Sequence, residues 1–144
     1  MSEYVVGFML ETLSDRVIVI RKQKPLWQSG LLNGVGGKIE AGETPIEAMR
    51  REFLEEAGFE HDNWRPVAVL GKSWKVHVFA ATVRRFPDFV GQPGQVNDIG
   101  EPIEIIRVSE LPMRRDVIKN LRWLIPLCFE DPDGPFVAEE EIAA

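Results

Sequence analysis

The sequence predicts an α/β domain in which a mixed β-sheet packs against helices. Two observations predict this class: short β-prone apolar segments recur along the chain, and two longer segments carry apolar residues at helical spacing. The 144 residues suit one domain, and a hydrophobic content of 44% supplies its core. With no internal repeat in view, we expect one domain over residues 1–129 and an acidic tail over 130–144, partly ordered at most.

Five strands are expected, at residues 4–10, 16–21, 67–70, 74–83 and 102–108. The first two form a hairpin through the Ser14-Asp15 turn. Residues 24–33 and 86–100 contain proline and glycine and are predicted to be loops. A glycine-rich segment at 34–39 leads into the first helix. The second helix is predicted over residues 116–128, with an interruption near Pro126.

The first helix has clear start and stop signals. Thr44 is a good N-cap, Pro45 suits the first turn, and Glu47 completes a capping box. Gly58 supplies a left-handed stop. One face of the helix forms an apolar stripe made of Ile46, Met49, Phe53 and Ala57.

Beside that stripe the helix carries three carboxylates, Glu52, Glu55 and Glu56. Residues at i, i+3 and i+4 lie on one side of a helix, so three negative charges are close together. Such crowding is unfavourable unless a cation compensates for it. Oxygen-only ligands suit Mg²⁺, with Mn²⁺ as a substitute.

The segment from Gly37 to Phe59 has a fixed spacing. Gly37 is followed after five residues by Glu43, and after seven more by Arg51-Glu52-Phe53-Leu54-Glu55-Glu56-Ala57-Gly58-Phe59. This spacing resembles the Nudix box, G-x5-E-x7-R-E-U-x-E-E-x-G-U, where U is a bulky apolar residue. The resemblance implies the Nudix fold, a mixed sheet sandwiched between helices, and a hydrolase of nucleoside diphosphate derivatives.

The resemblance also implies roles for individual residues. It implies metal ligation by three glutamates and a backbone carbonyl of the glycine pair: Glu52, Glu55, Glu56, and Gly36 or Gly37. Arg51 would orient these glutamates, and Gly37, Glu43 and Gly58 would be structural. The general base would be one of the box glutamates or a glutamate elsewhere, for which Glu101 is the candidate.

Outside the box the chain is similar to the branch that hydrolyses nucleoside triphosphates, including oxidised purine nucleotides. The similarity rests on Asn33-Gly34-Val35-Gly36-Gly37-Lys38, on Val76-His77-Val78-Phe79 and on the segment from Leu121 to Leu127. It implies a substrate-binding set of Asn33, Trp27, Lys38, Asn120 and Trp123. The purine-reading members commonly have two aspartates where this chain has Lys119 and Asn120, so a pyrimidine or a differently modified base is as compatible with these positions as 8-oxoguanine.

We expect Mg²⁺-dependent hydrolysis of a nucleoside triphosphate to the monophosphate and pyrophosphate, with nucleotide-pool sanitation as a role implied by analogy. One alternative is hydrolysis of ADP-ribose, a nucleotide sugar or a dinucleoside polyphosphate. Another is a nucleotide-binding Nudix module without catalysis.

Charge and composition narrow the range of partners. The net charge is −6, and residues 130–144 hold six acidic and no basic residues, so the rest of the chain is neutral overall. No basic stripe is present, so we expect a small nucleotide rather than a polymeric nucleic acid as partner. The single cysteine excludes an internal disulfide, and no apolar run could span a membrane. We expect a cytoplasmic monomer or homodimer.

Overall fold

A computed structural model of the chain describes residues 2–130 and 136–138. Its strands are β1 Glu3–Glu11, β2 Arg16–Arg21, β3 Leu32–Asn33, β4 Val35–Lys38, β5 Arg65–Leu70, β6 Lys75–Val83, β7 Ile103–Arg107 and β8 Phe136–Ala138. The helices are α1 Pro45–Ala57 and α2 Leu121–Phe129, with 3-10 turns at Leu26–Gln28 and Val108–Met113. None of the helices described here has the length and apolar character needed to cross a membrane.

The strands form one mixed sheet with the order β3-β2-β1-β6-β5-β8. Strand β1 is central, because it pairs in parallel with β6 along its whole length and antiparallel with both β2 and β4. Strand β7 pairs with β2. Most of the predicted acidic tail lies outside the described residues, but β8 within it pairs in parallel with β5.

Alternate residues of β1 face opposite layers of the molecule, as expected for an extended strand. Val6 and Phe8 belong to the apolar cluster that contains the buried face of α2. Val5 and Met9 belong to a second cluster that contains the buried face of α1. The sheet therefore lies between the two helices, which confirms the predicted α/β/α sandwich.

The first helix begins and ends where its sequence signals place it. The N–H of Glu47 donates to Thr44 Oγ1 at 3.3 Å, and the N–H of Thr44 donates to Glu47 Oε1 at 3.0 Å. Gly58 ends the helix with a φ of 86°. The predicted stripe packs inward, since Met49 and Phe53 are fully buried.

Close packing of α1 on the sheet depends on Gly7 in the middle of β1. A Cβ at this position would lie 2.6 Å from Met49 Cε and 2.9 Å from Trp64 Cζ3. Real Cβ atoms do not make such contacts, so a larger residue would require the Met49 and Trp64 side chains to move. Because Gly7 has no side chain, Met49 and Trp64 can occupy this space.

The second helix is shorter at its start than predicted, because it begins at Leu121 rather than at residue 116. The preceding segment is extended and attached to β3. The N–H of Leu32 donates to the carbonyl of Asp116 at 2.7 Å, and the N–H of Ile118 donates to the carbonyl of Leu32 at 3.0 Å. Because these hydrogen bonds to β3 replace the hydrogen bonds of a helix, α2 begins only at Leu121. Pro126 does not interrupt it, and the helix continues to Phe129.

The buried carboxylate of Glu11 joins three parts of the chain at the end of β1. It accepts from the Phe86 N–H at 2.6 Å, from Arg16 Nη2 at 2.7 Å and from the Ser14 hydroxyl. Burial alone would raise the pKa of Glu11, but these donors outweigh it and lower the pKa to about 2. The ionised carboxylate therefore stabilises the folded chain.

Glu11→Gln should lower the free energy of unfolding at pH 7 by about 2 to 3 kcal/mol. The folded-state pKa lies below the ordinary value of 4.5, so this stabilisation is complete above that pH and is lost as the pH falls towards 2. Urea unfolding of both proteins between pH 7 and pH 3 measures the difference, with the exposed Glu60→Gln as the control. A difference that does not shrink in acid would contradict the assignment.

Candidate active site

Three glutamates of α1 lie beside the glycine strand β4. At about 100° per residue, Glu52 and Glu56 face the strand while Glu55 turns towards solvent. The side chain of Glu56 is buried and that of Glu52 is 13% exposed, whereas that of Glu55 is 44% exposed. The helix thus presents a graded row of carboxylates from the protein interior to the surface.

The two glycines of β4 shape the space that these carboxylates occupy. A Cβ on Gly37 would lie 2.5 Å from Glu52 Oε1, so the absent side chain leaves room for that carboxylate. A Cβ on Gly36 would clash with the Val5 carbonyl of β1. The N–H of Gly36 donates to Glu56 Oε2 at 3.3 Å. Gly36 is therefore required by the close approach of β4 to β1, whereas Gly37 leaves the space that the Glu52 carboxylate occupies.

Arg51 is the centre of an ion-pair network that connects α1 to the loop before it. Its Nε donates to Glu43 Oε2 at 2.6 Å and its Nη2 to Glu43 Oε1 at 2.9 Å, in a two-pronged pair. Nη2 also donates to the Lys38 carbonyl at 3.1 Å, and Nη1 donates to Glu52 at 2.9 Å and to Glu55 at 3.3 Å. Arg51 thus pairs with Glu43, Glu52 and Glu55 at once.

Burial and neighbouring negative charges destabilise the ionised forms of the Glu52 and Glu56 carboxylates. Burial raises the pKa of Glu56 to about 8; Lys22 opposes this effect, and the charge of Glu52 adds to it. Burial also raises the pKa of Glu52 against the lowering effect of Arg51, with further contributions from Glu55 and Asp98. A nearby positive charge would stabilise the ionised form of each carboxylate and lower its pKa.

The chemistry of the donor set fits a hard divalent cation. The available ligands are carboxylate oxygens and backbone carbonyls of β4, which Mg²⁺ and Mn²⁺ accept. Within residues 2–130 and 136–138, no group of three acidic, histidine or cysteine side chains already converges on one point. A reason for this is visible, because Arg51 lies between Glu52 and Glu55 and pairs with both.

Glu101 is fully buried and is bound on both oxygens, which differs from the free base expected from the sequence. Oε1 accepts from Lys22 Nζ at 3.2 Å and from Asn97 Nδ2 at 2.9 Å, and Oε2 accepts from the Gln23 N–H at 2.7 Å. Burial would raise its pKa, but these donors outweigh burial and lower the pKa. Because both oxygens of Glu101 already accept hydrogen bonds, this geometry suits a residue that positions Lys22 better than one that takes a proton directly.

A cleft of about 690 Å³ is lined by Gly36 and Gly37 of β4, and none of the three α1 glutamates lines it. Its polar lining residues are Ser2, Lys22, Gln28, Asn33, Lys38, Ser73 and Asn120. The rest of the lining is apolar, aromatic or glycine: Tyr4, Val5, Val6, Pro25, Trp27, Gly34, Gly36, Gly37, Leu70, Trp74, Val76, Ile118 and Leu124. Mixed apolar walls with few polar groups are typical of small-molecule sites.

The cleft brings together four of the five predicted substrate-binding residues, namely Trp27, Asn33, Lys38 and Asn120. Trp123 does not line it, and 41% of this residue is exposed elsewhere on α2. Asn120 and Leu124 line the cleft. Successive helix positions are about 100° apart, so Trp123 is turned away from the face that Leu124 presents to the cleft.

Sequence reasoning missed three residues at the site. Trp74, at the start of a predicted strand, lines the cleft, as does Gln28 in the same predicted loop as Trp27. Asp98 lies close enough to Glu52 to raise the pKa of that carboxylate. Only the local signals of polar loops pointed to these positions, and such signals do not tell which loops converge.

The chain matches the family model described as NUDIX domain over residues 1–124. An oxidized purine nucleoside triphosphate hydrolase of Danio rerio is 29% identical over 113 residues, which are 74% of this chain and 68% of that protein.

Solved structures share the fold at low sequence identity. The mutator protein MutT of Bacillus halodurans superimposes with a TM-score of 0.67 at 19% identity, covering 96% of this chain and 90% of that one. A structure described as an ADP compounds hydrolase gives a TM-score of 0.63 at 23% identity, covering 89% of this chain and 69% of the other.

Proposed function

Because the chain belongs to the Nudix family, whose members are pyrophosphohydrolases, we propose that it hydrolyses a nucleoside triphosphate to the monophosphate and pyrophosphate. The observation that carries this proposal is the shared wall formed by Gly36 and Gly37. Both glycines line the cleft, and they also lie against the carboxylates of Glu56 and Glu52. A nucleoside in the cleft would therefore direct its phosphates across this wall to the carboxylates.

The metal ligands in this proposal are the carboxylates of Glu52, Glu55 and Glu56 with a backbone carbonyl at Gly36 or Gly37. Support comes from the all-oxygen donor set and from the raised pKa values of the two inner glutamates. A bound Mg²⁺ or Mn²⁺ would neutralise phosphate charge and make a bound water more acidic.

The reaction needs one water molecule and no other reactant. The water oxygen bonds to one phosphorus of the α–β anhydride, the bridging oxygen leaves with the other phosphorus, and a carboxylate of the set takes the proton. Arg51 keeps Glu52 and Glu55 in position through its bonds to both. Lys22 and Lys38 line the cleft and supply positive charge for the phosphates.

Within this proposal Glu101 is a positioning residue. It is fully buried and fixes the Lys22 ammonium, which lies near enough to Glu56 to lower the pKa of that carboxylate. The proposed role of Glu101 is therefore to place a cation between the cleft and the carboxylates.

The base of the substrate differs in our proposal from that of the purine-oxidation enzymes. Two aspartates read the purine in the branch that the sequence resembles, and Lys119 and Asn120 replace them here. Lys119 is exposed and does not line the cleft, whereas Asn120 is buried and lines it. A single neutral amide cannot reproduce a pair of carboxylates, so we expect 8-oxo-dGTP not to be the preferred substrate.

A substrate panel tests the proposed reaction. With Mg²⁺ present, phosphate and pyrophosphate release is measured for ordinary and oxidised (d)NTPs, ADP-ribose, nucleotide sugars and diadenosine polyphosphates. We expect monophosphate and pyrophosphate from a triphosphate, and no turnover with excess chelator. Turnover of ADP compounds alone would contradict the proposal and favour the chemistry named for one structural neighbour.

Glu56→Gln should reduce turnover by at least about a hundredfold, since it removes a proposed ligand at the centre of the site. The amide oxygen of glutamine can still accept from the Gly36 N–H, so the melting temperature should stay within a few degrees. The exposed Glu60→Gln makes the same charge change and serves as the control. Full activity in Glu56→Gln would refute the ligand assignment.

Gly37→Ala should reduce turnover about tenfold to a hundredfold, because the new methyl group occupies the space of the Glu52 carboxylate. Its contacts are all with the flexible end of Glu52, so the fold should tolerate it. Gly42→Ala provides the opposite case. Gly42 has a φ of 84° and open space around it, so this variant should lose about 1 kcal/mol of stability and keep its turnover. Equal turnover in both variants would argue against a role for the Gly37 space.

A further inference from the structure

We propose that the cleft selects bases that carry a carbonyl, rather than an amino group, at position 4 of a pyrimidine or position 6 of a purine. The proposal rests on the function proposed above and names its substrate class. It is carried by Gln28 and Asn33, whose side-chain amides are locked so that their N–H groups are the ones left for a ligand.

The orientation of Asn33 is fixed by its own backbone neighbour. The Gly34 N–H donates to Asn33 Oδ1 at 2.8 Å. A backbone N–H can only donate, so the oxygen of the Asn33 amide must face it and the NH₂ group must face the other way. Reversing the amide would set two donors against each other and leave a partly buried N–H unpaired.

This orientation in turn fixes Gln28. Asn33 Nδ2 donates to Gln28 Oε1 at 3.1 Å, so the carbonyl of Gln28 points to Asn33 and its NH₂ group points away. Among the described residues no acceptor is bound to Gln28 Nε2. Both side chains line the cleft. Gln28 also ends a 3-10 turn in which its N–H donates to the Pro25 carbonyl at 2.9 Å, so its backbone is constrained.

The charged side chains that line the cleft do not oppose this donor character, and its other side-chain acceptors include the neutral oxygens of Ser2, Ser73 and Asn120. The cleft as the described residues form it has two charged lining side chains, Lys22 and Lys38, and no lining carboxylate. Trp27 and Trp74 also line it and offer indole faces on which a base of either kind can stack. Stacking on the indoles therefore adds affinity for any base, and the amide donors determine which bases are preferred.

The spacing of Asn33 and Gly37 along the chain allows one nucleotide to reach both the amides and the carboxylates. Four extended residues span at most roughly 14 Å, so Asn33 lies within that distance of Gly37, where the cleft meets the carboxylates. A nucleoside with its phosphates can bridge the two. The base would then meet the amides while the anhydride meets the glycine wall.

The chemical consequence follows from the base edges. Thymine and guanine present the acceptors O4 and O6, and uracil and hypoxanthine share these carbonyls, whereas cytosine and adenine present the NH₂ donors N4 and N6. A donor facing a donor leaves both without a hydrogen-bond partner, which disfavours binding. We therefore expect a preference of about tenfold or more for dUTP over dCTP and for dITP over dATP.

The test compares kcat/KM for these two substrate pairs, and also the affinity of the monophosphates dUMP, dCMP, IMP and AMP. Tryptophan fluorescence reports the second measurement, because Trp27 and Trp74 line the cleft. Monophosphate binding needs no hydrolysis. If no triphosphate is cleaved but the carbonyl-bearing monophosphates bind about tenfold more tightly, the proposed function fails and the base selection stands.

Three variants sharpen the comparison. Gln28→Glu replaces the outward NH₂ with an acceptor while the other oxygen still accepts from Asn33, so the preference should invert towards dCTP and dATP. Gln28→Met removes both hydrogen-bonding groups and should bring the two ratios close to one. Ser29→Glu adds the same charge at the next, exposed position and should leave the ratios unchanged.

Thermal unfolding checks that each variant is folded. Equal or greater turnover and binding of the amino-bearing bases by the native protein would overturn the proposal. An unchanged ratio in folded Gln28→Glu would overturn it as well, since the fixed amide would then have no part in base selection.

Discussion

The architecture depends on how closely α1 approaches the sheet. Glycines occupy the contact points, with Gly7 under Met49, and Gly37 beside the Glu52 carboxylate. Interiors are packed too densely for a side chain to be added at such points. The same closeness that completes the apolar core also draws Glu52 and Glu56 out of water. The packing of α1 on the sheet therefore completes the core and buries the carboxylates of the site.

Drawing two carboxylates out of water is unfavourable, and the structure offsets only part of that cost. Arg51 pairs with Glu43 and Glu52, and the Gly36 N–H bonds to Glu56. The pKa of Glu56 still lies far above its ordinary range. Groups kept in such a state are typical of functional sites, where stability is given up for a ligand that carries the missing charge.

Strands β3 and β4 connect the two halves of the site. One end of this glycine-rich segment carries Asn33, whose amide is oriented by Gly34, and the other carries the glycines beside the carboxylates. Because the segment pairs with β2 and β1, both ends are held by the sheet rather than by a free loop. A rigid link of this kind would keep the proposed base contact and the proposed cleavage site at a constant distance.

The sequence by itself determined the features that depend on neighbours along the chain: the capped helix α1, the carboxylate row on its side and the position of Arg51 next to that row. Tertiary structure decided the rest. Glu101 became a buried partner of Lys22, Trp74 entered the cleft and Trp123 stayed outside it. These outcomes depend on contacts between distant segments, on the late start of α2 and on its helical phase. Local propensity carries no information about which loops meet, because convergence is set by sheet pairing and packing.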